Sequence, residues 1–252
     1  MVRACWVVAA LAGCAFNPAP PIATDGPPLV DAAGDAPIDA APQPPSFTAS
    51  AVTSQEDAAL VTLPVTIPDG AGRFLIVAVQ LGAGCNDMIP SVVSVLYDSV
   101  ALAQLATISG TPCGAGSRSD QWHLVAPATG THNVVVALSG NADSVHVGAL
   151  AFAGVNQVTP VRGTATASGA GESSSVVIAS SVDDLVVNTV GDGNSVSGPG
   201  TGQTQRYLRN VDSSNTLNNS AASTAPGASS VAMAWKFGAN DEFQTISTSL
   251  RP

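Results

Sequence analysis

Phe74-Leu75-Ile76-Val77-Ala78-Val79-Gln80-Leu81 is the stretch that decides the fold. A strand with one wet face alternates apolar and polar side chains, whereas this run is close to continuously apolar, so it reads as a central strand covered on both faces. Runs on either side of it do alternate. His132, Val134, Val136 and Leu138 share one face of a strand, and Val231, Met233, Trp235 and Phe237 share one face of another. Further strands are expected at 51–66, 91–97, 100–108, 121–126, 145–152, 174–180, 185–190, 203–208 and 243–250. Turn chemistry separates them: Pro68-Asp69-Gly70, Ala128-Thr129-Gly130, Gly140-Asn141-Ala142-Asp143, Val182-Asp183-Asp184 and the glycine-rich stretch 191–202. Many short strands at this spacing, without an amphipathic helical period, predict an all-β antiparallel sandwich over residues 46–252.

Composition agrees and narrows the chemistry. The chain has a single lysine and three glutamates, so few long helix-forming side chains, and is rich in Val, Thr, Ser and Gly. Residues 46–252 carry 14 acids against 7 scattered bases. With no basic stripe, nucleic acid and anionic membrane surfaces are poor partners. No Gly-x-Ser-x-Gly elbow, His-Glu-x-x-His helix, phosphate loop or dinucleotide fingerprint is present. His123, His132 and His146 stand alone and read as solvated or edge residues. Glu56, Glu172 and Glu242 fall near turns or strand ends, whereas a glycosidase needs two carboxyls about 5–9 Å apart across a cleft. No catalytic residue is therefore assigned. Asp87, Asp98, Asp120 and Asp143 are candidate calcium ligands should strand ends gather them, although no Asp-x-Asp-x-Asp loop is present. For a sugar ligand the scarce aromatics matter. Trp122 and Trp235 share parity with core neighbours, leaving Tyr97, Tyr207 and Phe243. The strand around Gln203-Thr204-Gln205-Arg206-Tyr207 places Gln203, Gln205 and Tyr207 on one side by simple alternation, and these three are the candidate ligand-binding residues.

Four segments carry a likeness: Phe74-Leu75-Ile76-Val77-Ala78-Val79; Tyr97-Asp98; Trp122-His123-Leu124-Val125-Ala126-Pro127-Ala128-Thr129-Gly130; and Gly148-Ala149-Leu150-Ala151-Phe152-Ala153-Gly154-Val155. Together they resemble successive strands of a poorly characterised jelly-roll module of bacterial surface proteins. The resemblance implies a jelly-roll-like sandwich. It brings no catalytic residues, because its motifs are framework motifs. Three functions stay open on the residues alone: a binding or adhesion module for a polysaccharide or surface protein, a polysaccharide-active enzyme, and a structural envelope protein.

At the N terminus, Arg3 precedes the apolar run Trp6-Val7-Val8-Ala9-Ala10-Leu11, too short to span a bilayer, and the pattern is that of a signal peptide over residues 1–13. Leu11-Ala12-Gly13-Cys14 resembles the bacterial lipobox. That likeness implies a lipid on Cys14, cleavage before it and a membrane anchor that holds without further help. Ala15 after the cysteine favours the outer membrane. Residues 14–45 form a Pro/Ala/Gly/Asp segment with almost nothing to bury, expected to stay a disordered tether spanning roughly 30 Å as a coil. Cys5 falls within the signal, so Cys85 and Cys113 are the domain's cysteines. In an oxidising compartment they are expected to form a disulfide, worth about 3.6 kcal/mol by loop entropy. Replacing the lipid acceptor, Cys14→Ser, is predicted to abolish palmitate labelling and release the protein from the membrane fraction. Labelling equal to that of the unaltered chain would refute the anchor.

Overall fold

The computed structural model describes residues 43–83, 88–110, 117–211 and 219–252, and within them there are strands and turns but no helix. Cys14, Cys85, Cys113 and Asp87 lie outside the described residues. The fold is an all-β, jelly-roll-like sandwich of two antiparallel sheets. One sheet takes β1 (Ser46–Ile67), β2 (Phe74–Gly82), β3 (Val92–Tyr97), β4 (Val100–Ala101), β5 (Ala103–Ser109), β6 (Ser117–Val125) and β7 (Gly130–Ala153). Its order is β4-β3-β7-β2-β6-β5, with β1 along the other edge of β7. The second takes β8 (Val161–Ala179), β9 (Leu185–Asp192), β10 (Val196–Pro199), β11 (Thr204–Arg209), β12 (Asn219–Pro226) and β13 (Ser230–Leu250). Its order is β10-β13-β9-β12-β11, with β8 along β13.

These two orders are the same order. Exchanging β1, β2, β3, β5, β6 and β7 for β8, β9, β10, β11, β12 and β13 converts the pairings of the first sheet into those of the second. Packing between the sheets respects the exchange: β1 lies against β11 as β8 lies against β5, β7 against β12 as β13 against β6, and β2 meets β9. The domain is therefore an internal duplication with approximate two-fold symmetry, which the sequence reading did not anticipate.

Each half closes by folding a long hairpin over itself. A straight strand the length of β7, 24 residues, would run for about 80 Å. Yet both of its ends are tied to one turn. Its first residue pairs with Ile67, just before that turn, and Arg73 Nε donates to Pro127 O at 2.9 Å; at its far end Gly154 N donates to Ala71 O at 3.0 Å and Phe152 pairs with Phe74. The strand must reverse midway. The register of β1 and β7 slips between Ala58 and Leu60, where Asp57 has φ 46° and Asn141 Nδ2 donates to Asp57 Oδ1 at 2.9 Å. The second half has its slip between Lys236 and Asp241, and Gly227 N and Leu250 both return to the Asp184–Leu185 corner. That corner is pinned by Asp184, which accepts from Arg162, Ser249 Oγ and Ser181 N.

This wrapping explains the decisive stretch. Every residue of β2 is buried: Leu75, Val77, Val79 and Leu81 face the core inside the first half, while Phe74 and Ile76 face the second half. Each fully buried aliphatic of this kind stabilises by about 1.5–3 kcal/mol. The second half keeps a core of its own around Trp235, Met233, Val186 and Val190. Trp235 Nε1 donates to Asn188 Oδ1 at 2.6 Å, which lets the indole be wholly buried. Between the halves, the Tyr207 ring of β11 lies directly on Gly148 of β7, where any Cβ would collide with it. Gly148→Ala is therefore predicted to lower stability by about 1–3 kcal/mol through overpacking, read as a drop in the denaturant midpoint. An unchanged midpoint would show that the halves are not in close contact there.

Candidate functional site

The contact between the halves changes character along the strands. At the end near the 70–73 turn it is apolar, built from Phe74, Ile76, Leu150, Phe152, Val187 and Leu250. One register step further it turns polar but stays satisfied. Gln121 donates to Thr189 Oγ1 at 2.8 Å and to Ile246 O, and accepts from Thr248 Oγ1 at 2.7 Å. The next step brings His146, Gln80 and Ser119 into one row of the first sheet, facing Gln244, Gly191 and Ser220 in the second. A Cβ on Gly191 would stand 2.8 Å from Gln80 Cγ and 3.3 Å from Ser119 Oγ, so the two rows press together. The last step, at the rim, holds Ser144, Gly82 and Ser117 on one side and Glu242 and Gly193 on the other.

Hydrogen bonding fails along this polar seam. Ser220 Oγ donates to Gln80 Oε1 at 2.7 Å and lies 3.3 Å from Tyr207 Oη. Gln80 Nε2, Ser119 Oγ, His146 Nδ1, Ser144 Oγ, Ser117 Oγ and Gln244 Nε2 are buried without a partner. Each such group costs roughly 1–3 kcal/mol, and native folds hold few of them. At Gly110, which donates to Ser117 O, three polar atoms converge. An added Cβ would lie 2.6 Å from Gln244 Nε2, 2.8 Å from Ser117 Oγ and 3.4 Å from Glu242 Oε2.

Charges at this rim are displaced from their ordinary behaviour. Burial pushes the Asp192 carboxyl up to about 8, helped by the negative charge of Asp241 and opposed by the bond from Asn194 N at 2.7 Å. Asp192 Oδ2 has no partner. Burial, then Asp241, also raises Glu242. Asp241 itself lies against Gly193, where a Cβ would come within 2.8 Å of its carboxyl. His146 is driven down to about 4, first by burial and then by the positive charge of Arg209. Near neutral pH the seam therefore holds a neutral imidazole and a neutral Asp192.

Several expectations from the sequence are corrected. Gln203, Gln205 and Tyr207 do not share a face. A bulge between Gln205 and Tyr207 breaks the alternation of β11, leaving Gln205 exposed and turning Tyr207 inward to 6 % exposure. There burial pushes its phenol up to about 12. Gln203 spends its amide on β13, donating to Ala234 O at 2.7 Å and accepting from Ala234 N and Ser223 Oγ. Tyr97 and Phe243 are also buried, Tyr97 donating to Ala128 O at 3.0 Å. Of the three histidines His146 departs from expectation, being buried at 1 % exposure; His123 and His132 stay partly exposed, His123 stacking on Phe74 at 5.3 Å and His132 pairing with Asp98 at 3.0 Å. Of the aspartates proposed for calcium, the three among the described residues lie on different elements. Asp98 sits in the turn after β3 with His132, Asp120 is buried within β6 under Arg118 and Gln104, and Asp143 belongs to the β7 bend. No group of three or more His, Cys, Asp or Glu able to hold a metal occurs among the described residues.

Sequence reasoning missed the seam itself. The signal was there in Gln80, His146 and Gln244, polar side chains at core parity in runs otherwise read for their apolar content. Comparison with known proteins finds no family model that matches the chain and no match among curated proteins.

Asp192 provides a check on these electrostatics. Its folded pKa lies above the unfolded value, so its contribution to stability is full below pH 3.8 and is lost as pH rises through about 8. Asp192→Asn should match the unaltered protein in thermal midpoint near pH 3 and exceed it by a margin that grows as pH rises from about 4 to about 8. A gap that stays constant across that range would show that the carboxyl is ionised throughout.

Proposed function

We propose that this chain is a non-enzymatic binding module displayed on the bacterial envelope. Cys14 carries the lipid, residues 14–45 act as the tether, and the rim of the seam receives a polysaccharide or a surface protein. The observation that carries this reading is the set of six buried, unpartnered polar groups gathered between the halves. Such groups call for partners from outside the protein's own hydrogen bonds, ordered water or a ligand. Orientation supports it. Ser46, where the tether joins the domain, pairs with Ala153 beside the 70–73 turn, while the rim lies at the far end of β2, about 30 Å away. The rim thus points away from the anchored end. The likeness to a jelly-roll module of surface proteins, and the Ala15 that favours outer-membrane sorting, support display in the same compartment as envelope polymers.

A second reading, a polysaccharide-active enzyme, is favoured by one feature. Asp192 is held neutral beside Asp241, the division of carboxyls that acid and base roles require. Asp192 and the unpartnered seam groups are alike buried, so access does not separate the two readings. The two readings separate in one experiment. Detergent-solubilised full-length protein, passed over immobilised envelope polysaccharide, is expected to be retained with no release of reducing ends. Release of reducing ends would establish the enzyme, and passage without retention or release would leave a structural envelope protein.

A further inference from the structure

We infer that the free edge of β8 is a self-association surface, on which a second copy of this chain pairs its own β8, antiparallel, about a two-fold axis at Ala167. The inference does not depend on what the rim binds. β8 is bonded to β13 along one side, and among the described residues no strand pairs with its other side. An open edge exposes a row of backbone donors and acceptors, which folds commonly blunt with proline, charge, a bulge or a covering element. The duplication supplies an internal comparison. β1, the corresponding edge of the first half, carries Glu56, Asp57 and Pro64, and β11 is tied to it by side chains. Ser50 Oγ donates to Arg206 O at 2.9 Å, Arg209 Nε donates to Ser54 Oγ at 3.0 Å, and the Arg206 guanidinium lies 4.3 Å from the centre of the Phe47 ring. Over residues 163–171 β8 has none of these devices. That run is Gly163-Thr164-Ala165-Thr166-Ala167-Ser168-Gly169-Ala170-Gly171, without charge, proline or any side chain larger than threonine.

The charges that flank the run identify the occupant. Arg162 and Glu172 are the only charged residues of β8, and they share its exposed face with Thr164, Thr166, Ser168 and Ala170, while Ala165 and Ala167 face the core of the second half. Ala167 stands midway between the two charges. A two-fold axis there sets Thr166 opposite Ser168 of the second copy, Thr164 opposite Ala170, and Arg162 opposite Glu172, each pairing occurring twice. Opposite charges facing each other across antiparallel strands stabilise the pair, whereas like charges oppose it. Both groups are available. Among the described residues Glu172 has no hydrogen-bond or ion-pair partner, and Asp184 occupies Nε and Nη2 of Arg162 but leaves Nη1. The axis stands perpendicular to the sheet, so β5, which lies against β8, meets the β5 of the second copy. Its seven residues, Ala103–Ser109, hold no charge to resist that approach. A foreign strand would have to match this spacing of charges, whereas a second copy matches it by symmetry.

The test is sedimentation of the detergent-solubilised full-length chain over a dilution series, in density-matched buffer, where an equilibrium between monomer and dimer is expected. Glu172→Arg turns both facing charge pairs repulsive, and Thr166→Lys adds a charge beside the axis in each copy. Each should weaken the dimer about tenfold. Both side chains are exposed, so thermal midpoints measured at dilutions where every variant is monomeric should not change. The double variant Thr164→Cys, Ala170→Cys reads the register: mild oxidation should link position 164 of one copy to position 170 of the other, identified by peptide mapping. A single monomeric species throughout the dilution series would overturn the inference, and protection of residues 163–171 from amide exchange only on adding envelope extract would then assign the edge to a foreign strand. A dimer that neither charge variant weakens would place the interface elsewhere and reject the β8 edge. Weakened dimers without the link from 164 to 170 would reject the axis at Ala167.

Discussion

Two corners hold this domain together: the 70–73 turn and the Asp184–Leu185 turn. Each receives both ends of a strand more than 20 residues long, so the hairpin containing that strand has no choice but to double back. Doubling back covers the inner face of each sheet with its own continuation. It leaves the outer face of β2 and of β9 to be covered by the other half. The sandwich is therefore closed twice, once within each half and once between them, and β2 is buried on both faces because it belongs to both closures. Arg73 and Asp184 occupy corresponding corners by different chemistry. Arg73 donates to carbonyls of neighbouring turns, whereas Asp184 accepts from an arginine, two serine hydroxyls and a backbone amide.

The interface between the halves divides its labour along the strand axis. Its apolar end supplies the burial that keeps the halves together. Its polar end gives up part of that burial, and there the side chains no longer obey the symmetry of the backbone. His146 occupies the place corresponding to Gln244, Gln80 that of Gly191, and Ser144 that of Glu242, while Ser119 and Ser220 remain alike. Symmetry is kept where packing decides and abandoned where hydrogen bonding does. That contrast is what makes the rim asymmetric, with a carboxylate on one side and a hydroxyl on the other.

How far the sequence revealed all this follows from the range of each signal. The twofold burial of Phe74 to Leu81 was legible because continuous apolarity reports on both faces at once. The alternation of His132, Val134, Val136 and Leu138, and of Val231, Met233, Trp235 and Phe237, was equally clear, and all of these proved to be core except His132 and Val231, which stay partly exposed near the strand starts. What alternation could not report was where it fails. One bulge in β11 reversed Tyr207, and the bends in β7 and β13 joined runs that had looked like separate strands. The duplication was hidden because it resides in pairing order, with only short echoes such as Gly140-Asn141-Ala142-Asp143 and Gly238-Ala239-Asn240-Asp241 at the two bends. The seam was hidden for a further reason: its members come from six strands, and no local pattern unites them.

The first strand of each half pairs with its last, Ser46 with Ala153 and Val161 with Leu250. A chain delivered to its folding compartment from the N terminus must therefore wait for about sixty residues after Ile67 before Gly130, the first partner of β1, arrives. Sequence-distant pairing of this kind is slow, because the loop must close before any contact rewards it. During that delay β1 presents an unpaired edge, and Pro64, which lacks a backbone donor, interrupts it at the position that will later face Asn133. Duplication shortens the wait: two loops of about sixty and about fifty residues, closed by Ile67 with Gly130 and by Ala179 with Ser230, close separately, where a single sandwich of the same length would have to close a longer one.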